Sequence, residues 1–263
     1  MVKLCKNKRI GNVIFIVEGE KTEPRIIRNI FKNVLCYNVY QYNKPEDIIR
    51  LKSDKNIYDK VTIITNDKPQ LSCVLNETEF VNKALELLNK NNLDVYDSAI
   101  YYIFDRDYGS NSYETIIKLM DKFNNSRESA DYEVLHGLLL LSYPCIESFY
   151  MNSFSDNKRL GSSKEIKTYV NLNKYKSIDE NKIMVATDNL LNILNEIFKI
   201  EELANNLDDF KIVNKKILEI EEKSYKENSV FITLSLLSVA LIDLGIIQID
   251  WIWIIWKGLI KTI

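Results

Sequence analysis

Val13-Ile14-Phe15-Ile16-Val17-Glu18-Gly19-Glu20-Lys21-Thr22-Glu23-Pro24 joins an unbroken apolar run to a short polar loop. Five consecutive β-branched and aromatic residues are the pattern of a strand buried on both faces, as in a parallel sheet. Glu18 ends that run abruptly. Gly19 permits a tight turn or a close approach, Thr22 fits an N-cap, and Pro24 suits a first helical turn. Ile26, Ile27, Ile30, Phe31, Val34 and Leu35 then recur at spacings of three and four, which is one face of a helix.

The same strand-then-helix alternation continues along the chain. Residues 61–65 and 100–104 are apolar, strand-like runs, and the second stops at Asp105. Phe80, Val81, Ala84, Leu85, Leu87 and Leu88 mark a helix after the first run. Tyr113, Ile116, Ile117, Leu119, Met120 and Phe123 mark one after the second. Residues 138–141 form another strand. Such alternation predicts an α/β fold of the Rossmann-like kind, a parallel sheet with flanking helices.

From about residue 146 the periodicity is mainly helical. Ser162 and Glu165 have capping-box spacing, and Leu190, Leu191, Ile193, Leu194, Ile197 and Phe198 form one stripe. Phe210, Val213, Ile217 and Leu218 form another. The expected organisation is an α/β domain over residues 1–154 and a helical C-terminal region over 155–263. Residues 230–247 are strongly apolar and read as a buried C-terminal helix. Asp243, with Thr233, Ser235 and Ser238, argues against a membrane span there. Trp251, Trp253 and Trp256 follow, as core or as a docking surface.

With 263 residues, 46% of them hydrophobic, the chain can bury a full core. Net charge is -2, so any nucleic-acid contact has to be local. Cys5, Cys36, Cys73 and Cys145 are scattered and form no C-x-x-C pair. A structural zinc site or a disulfide framework is therefore not expected, and reduced thiols in a cytoplasm are. The N-terminal apolar run is too short for a signal peptide.

Asp105-Arg106-Asp107 and the Glu18 loop each follow a buried strand. In an open parallel sheet, the carboxyl ends of the strands border the crevice where ligands bind. Strand alternation sends Asp105 and Asp107 to one side. Carboxylates converging there repel unless a cation lies between them, and hard oxygen donors suit Mg²⁺ or Mn²⁺. Glu18 is the candidate general base or acid and a possible ligand. Lys21 would dock a phosphate, with Arg25, Arg28 and Lys32 following a nucleic-acid backbone at helical spacing. A solvated surface and ordinary turn-forming aspartates are the alternatives.

Other templates match less of the chain. The P-loop spacing is absent. The Asp105-x-Asp107-x-Gly109 start of a calcium loop is not completed. A phosphatase with Asp105 as nucleophile leaves the Glu18 loop unused. His136, the single histidine, reads as a packing residue.

Glu18-Gly19-Glu20-Lys21-Thr22-Glu23 and Asp105-Arg106-Asp107 resemble the E-G-x-x-E loop and the D-x-D of the TOPRIM domain, found in topoisomerases, primases and OLD-family nucleases. The stretch from Val17 to Pro24 is most similar to RloB-like proteins. Ser142-Tyr143-Pro144-Cys145-Ile146-Glu147 is similar to a further patch of that domain, although Ser148-Phe149-Tyr150 replace its usual aromatic and aliphatic residues. The resemblance spans about residues 11–154. It implies a TOPRIM fold and metal ligation by Glu18, Asp105, Asp107, Glu23 and Glu147. It also implies a metal-dependent nuclease acting on DNA or RNA in antiphage defence, as an abortive-infection effector beside an ABC- or SMC-like ATPase subunit. A non-catalytic interaction subunit of such a complex is the alternative.

Overall fold

The computed structural model describes residues 2–43, 48–65, 76–106, 112–128, 135–197 and 210–249. Strands run β1 Val2–Leu4, β2 Asn12–Val17, β3 Tyr37–Asn43, β4 Ile48–Ser53, β5 Lys60–Ile64, β6 Ser98–Asp105, β7 Asn124–Asn125, β8 Gly137–Tyr143, β9 Arg159–Leu160, β10 Phe231–Ile232, β11 Leu234–Ser235 and β12 Ile247–Ile249. Helices run α1 Thr22–Asn29, α2 Glu77–Lys90, α3 Tyr113–Lys122, α4 Ser148–Asn152, α5 Ser163–Leu172, α6 Glu180–Asn192, α7 Phe210–Asn228 and α8 Leu237–Asp243. Wider π-helical turns extend α1 over Ile30–Val34 and α6 over Ile193–Ile197.

The central sheet has the order β11-β8-β6-β2-β5-β4-β3. Its middle four strands are parallel, β8-β6-β2-β5, as the continuous apolar runs predict. β3, β4 and β11 are antiparallel at the edges, so the sheet is mixed. Among the parallel strands, β2 is followed along the chain by β5 on one side and then by β6 on the other. The connection reverses direction at β2, and the carboxyl ends of β2 and β6 frame the switch point where α/β sheets open a crevice.

Alternation divides the side chains between two layers. Phe15 of β2 stacks on its register partner Tyr101 of β6 with ring centroids 5.2 Å apart, and Phe31 closes over Phe15. On the opposite face, Tyr102 and Phe104 meet Phe80 of α2 and Phe123 after α3. Each aromatic pair contributes roughly 0.5–1.5 kcal/mol beyond its buried area.

Two local expectations are corrected. Thr22 is the first residue of α1, not its cap; Lys21 occupies the cap position, and a lysine side chain has no acceptor to offer the first turn. Residues 230–247 do not form one helix: they divide into β10, β11 and α8 before β12. Lack of periodicity in that run hides the break, which comes from partners elsewhere in the chain. Leu234 and Ser235 pair with Tyr143 and Ser142, Thr233 donates its amide to Lys158 O, and β12 pairs with β1.

Asp243 accepts hydrogen bonds from Tyr101 Oη at 2.5 Å and from Ser126 Oγ at 2.6 Å. A carboxylate thus sits in this apolar segment because it takes two hydroxyls from the sheet layer. Asp243→Ala is expected to cost about 1–3 kcal/mol by stranding the buried Tyr101 hydroxyl; a denaturant midpoint that does not fall would contradict this. Among the described residues, no helix is long and apolar enough to cross a membrane. His136 is buried against the Ser98 carbonyl at 2.9 Å, the expected packing role.

Candidate metal centre

Glu18 follows β2 directly, and its amide donates to Ile103 O, extending the β2–β6 pairing by one step. Its Oε2 accepts the backbone N–H of Asp105 at 3.2 Å. Asp105 is the last residue of β6, and its Oδ1 accepts the Ile146 amide at 2.8 Å. Three chain segments are thereby tied together in sequence: the post-β2 loop, the end of β6, and the turn after β8. The Tyr143–Pro144 peptide in that turn is cis.

Glu18, Gly19, Glu20, Lys21, Glu23, Asp105, Glu147 and Lys167 line a cleft of about 380 Å³. It lies at the switch point between β2 and β6. Of the expected ligands, Glu18, Glu23, Asp105 and Glu147 meet there. Asp107 lies outside the described residues. Of the expected phosphate-binding residues, Lys21 lines the cleft and is exposed. Arg25 hydrogen-bonds Tyr150 of α4. Arg28 and Lys32 do not line the cleft, and the wider turn beginning at Ile30 breaks the spacing that would align Lys32 with them.

The electrostatics are those of crowded anions. Burial, then the charges of Glu23, Glu147 and Glu18, hold the Asp105 carboxyl well above the usual range; the Ile146 amide pulls the other way. Burial, then Glu147 and Asp105, push the Cys145 thiol up. Burial works against the Lys167 ammonium, but Glu147, Cys145, Asp105 and Glu23 outweigh it and raise its pKa. Glu147 is buried, and its Oε2 has no hydrogen-bond partner among the described residues.

Gly19 has a steric reason. A Cβ there would stand 2.1 Å from Glu23 Oε2, so the Glu23 carboxylate folds back against the loop where only glycine leaves room. Gly19→Ala is expected to move that carboxylate while leaving thermal unfolding nearly unchanged, because a side-chain end can give way. Divalent-cation affinity should fall by roughly tenfold, as for a displaced supporting group; unchanged affinity by calorimetry would remove Glu23 from the site.

Sequence reasoning missed three residues. Cys145 carries a potential ligand atom within 4.8 Å of those of Asp105 and Glu147. Lys167 is one of two lysines on α5, and nothing in its spacing marks it. Arg106, between the two aspartates, is fully buried and pairs with Glu222 of α7 at 2.6 Å.

Five carboxylates, one of them buried and unpartnered at Oε2, with the Lys21 and Lys167 ammonium groups alongside, can hold a divalent cation and receive a phosphate. Comparison with family models, with curated proteins and with solved structures finds no match to this chain.

Proposed function

We propose that this cleft is a TOPRIM-type divalent-metal site that cleaves phosphodiester bonds of DNA or RNA. The observation that carries the reading is the convergence of Glu18, Glu23, Asp105 and Glu147, from three separate segments, at the carboxyl ends of β2 and β6. So many carboxylates in one partly buried cleft are mutually destabilising without a cation. The orphaned Glu147 Oε2 fits a ligand position.

Asp105 and Glu147 are the residues that would hold Mg²⁺ or Mn²⁺, with Glu23 and Asp107 as further donors. A cation held there would supply charge neutralisation at a phosphate under attack. Glu18 moves the proton: it lines the cleft, and the Asp105 amide fixes the orientation of its carboxylate. Lys21, exposed on the rim, orients the phosphate. Lys167, also in the cleft lining, offsets the negative charge of Glu147, Asp105 and Glu23. A defence role beside an ATPase subunit is supported by the resemblance of the Glu18–Pro24 loop.

The test is cleavage of single- and double-stranded DNA and RNA by the full chain with Mn²⁺ or Mg²⁺. Chelator-sensitive cleavage is expected, reduced about 10²–10⁴-fold by Glu18→Gln, the range for loss of a general acid or base. Metal-dependent cleavage unaffected by Glu18→Gln would contradict the assignment of that residue, and cleavage that persists in excess chelator would contradict the metal reading.

A further inference from the structure

We infer that Cys145 is a thiolate ligand in this site, alongside Asp105 and Glu147, so that the site takes a cation softer than Mg²⁺, namely Mn²⁺, Co²⁺ or Zn²⁺. The inference rests on the metal reading above and narrows it.

The three side chains each offer a ligand atom, and these atoms lie within 4.8 Å of one another. With metal–sulfur bonds near 2.3 Å and metal–oxygen bonds near 2.0–2.2 Å, opposed ligands on one ion stand roughly 4.5 Å apart and neighbouring ligands closer. A small side-chain contraction therefore suffices. An independent observation points to a ligand: Glu147 is 6% exposed and its buried Oε2 has no hydrogen-bond partner among the described residues. A buried carboxylate oxygen without a donor is costly unless something positive comes to it. Cys145 is fully buried beside it, on the turn whose Ile146 amide already holds Asp105.

Charge favours the same arrangement. Two carboxylates and a thiolate carry three negative charges, and Glu18 and Glu23 in the same cleft add to them. A divalent cation together with the Lys167 ammonium offsets most of that charge. Coordination replaces the thiol proton, which leaves to solvent, so no oxidant or reductant is involved. Thiolate donors select against Mg²⁺, which demands an octahedron of oxygens, and toward softer cations.

The experiment loads Co²⁺ into the metal-free full chain and into Cys145→Ser, and records the near-ultraviolet and visible spectra. The wild type is expected to show both ligand-field bands and a thiolate-to-cobalt charge-transfer band. Cys145→Ser should lose the charge-transfer band, keep ligand-field bands, and bind Zn²⁺ at least roughly tenfold more weakly, with Mg²⁺ affinity little changed. Cys145→Ala, with thermal unfolding of the metal-free protein as a control, separates ligand loss from misfolding. Ligand-field bands without charge transfer in the wild type would overturn the inference and leave the metal reading standing. A charge-transfer band that survives in Cys145→Ser would assign it to another cysteine and overturn the inference. No Co²⁺ bands at all would overturn both.

Discussion

Arg106→Met is expected to lower stability by about 3–5 kcal/mol, the usual cost of removing one partner from a buried ion pair. Arg106 follows Asp105 directly, and its amide donates to Ser142 O at 2.8 Å. Its guanidinium meets Glu222 of α7 at 2.6 Å, with the two side chains only 2% and 6% exposed. Glu221 is buried beside Glu222, and burial holds its carboxyl well above the usual range even though Ile232 donates an amide to it at 2.9 Å. Without Arg106, the buried Glu222 side chain would lose this ion pair, with a second acid as neighbour. The double variant Arg106→Met/Glu222→Leu is expected to recover most of the loss, because a well-packed apolar pair avoids the desolvation penalty. Denaturant midpoints of the single and double variants check both statements; a single-variant loss below about 1 kcal/mol would show that the pair is not the lock between α7 and the sheet.

Asp105→Asn is expected to raise the stability of the metal-free protein at neutral pH while removing its divalent-cation binding. Burial first, then Glu23, Glu147 and Glu18, raise the Asp105 pKa in the folded state above its unfolded value. The folded state therefore binds more protons than the unfolded chain between those two values, and stability falls as pH rises through that window. The penalty is complete above the folded pKa and absent below the unfolded one. Asparagine keeps an oxygen for the Ile146 amide and carries no charge, so the variant should lose this contribution to the pH dependence. For a chain of this size each kcal/mol relieved appears as roughly 2–4 °C in Tm. A metal-free Asp105→Asn protein that melts lower than wild type across pH 5–8 would contradict the crowded-carboxylate account.

Much of the fold was legible because the parallel strands are buried on both faces. β2, β5, β6 and β8 are continuous apolar runs, and each is found within a few residues of its expected place. The β3–β4 hairpin went unread: Tyr37 and Val39 face inward between exposed Asn38 and Tyr40, but an irregularity after Val39 breaks the period of two, and Tyr40 puts an aromatic on the outer face. The apolar stretch after residue 229 carries no period to read. Its division into strands and a helix is imposed by pairing with β8 and β1 and by the hydroxyls that meet Asp243.

The candidate site follows the same division. Glu18 and Asp105 stand out in the sequence as charges terminating apolar strands, and Glu147 enters through the resemblance of its segment. Cys145, Lys167 and the Arg106–Glu222 pair depend on segments brought together from 20 to more than 100 residues apart. No local spacing encodes that proximity. Arg106 in particular lies within the most conspicuous motif of the chain, yet its partner is on α7.

The most direct test of the metal centre is calorimetric titration of Mn²⁺ into the metal-free protein, run beside Asp105→Asn and Glu18→Gln. Saturable binding in the wild type, weakened at least roughly tenfold by Asp105→Asn and less by Glu18→Gln, is the predicted result. Absence of saturable binding in the wild type, or equal affinity in Asp105→Asn, would contradict a cation site between the ends of β2 and β6.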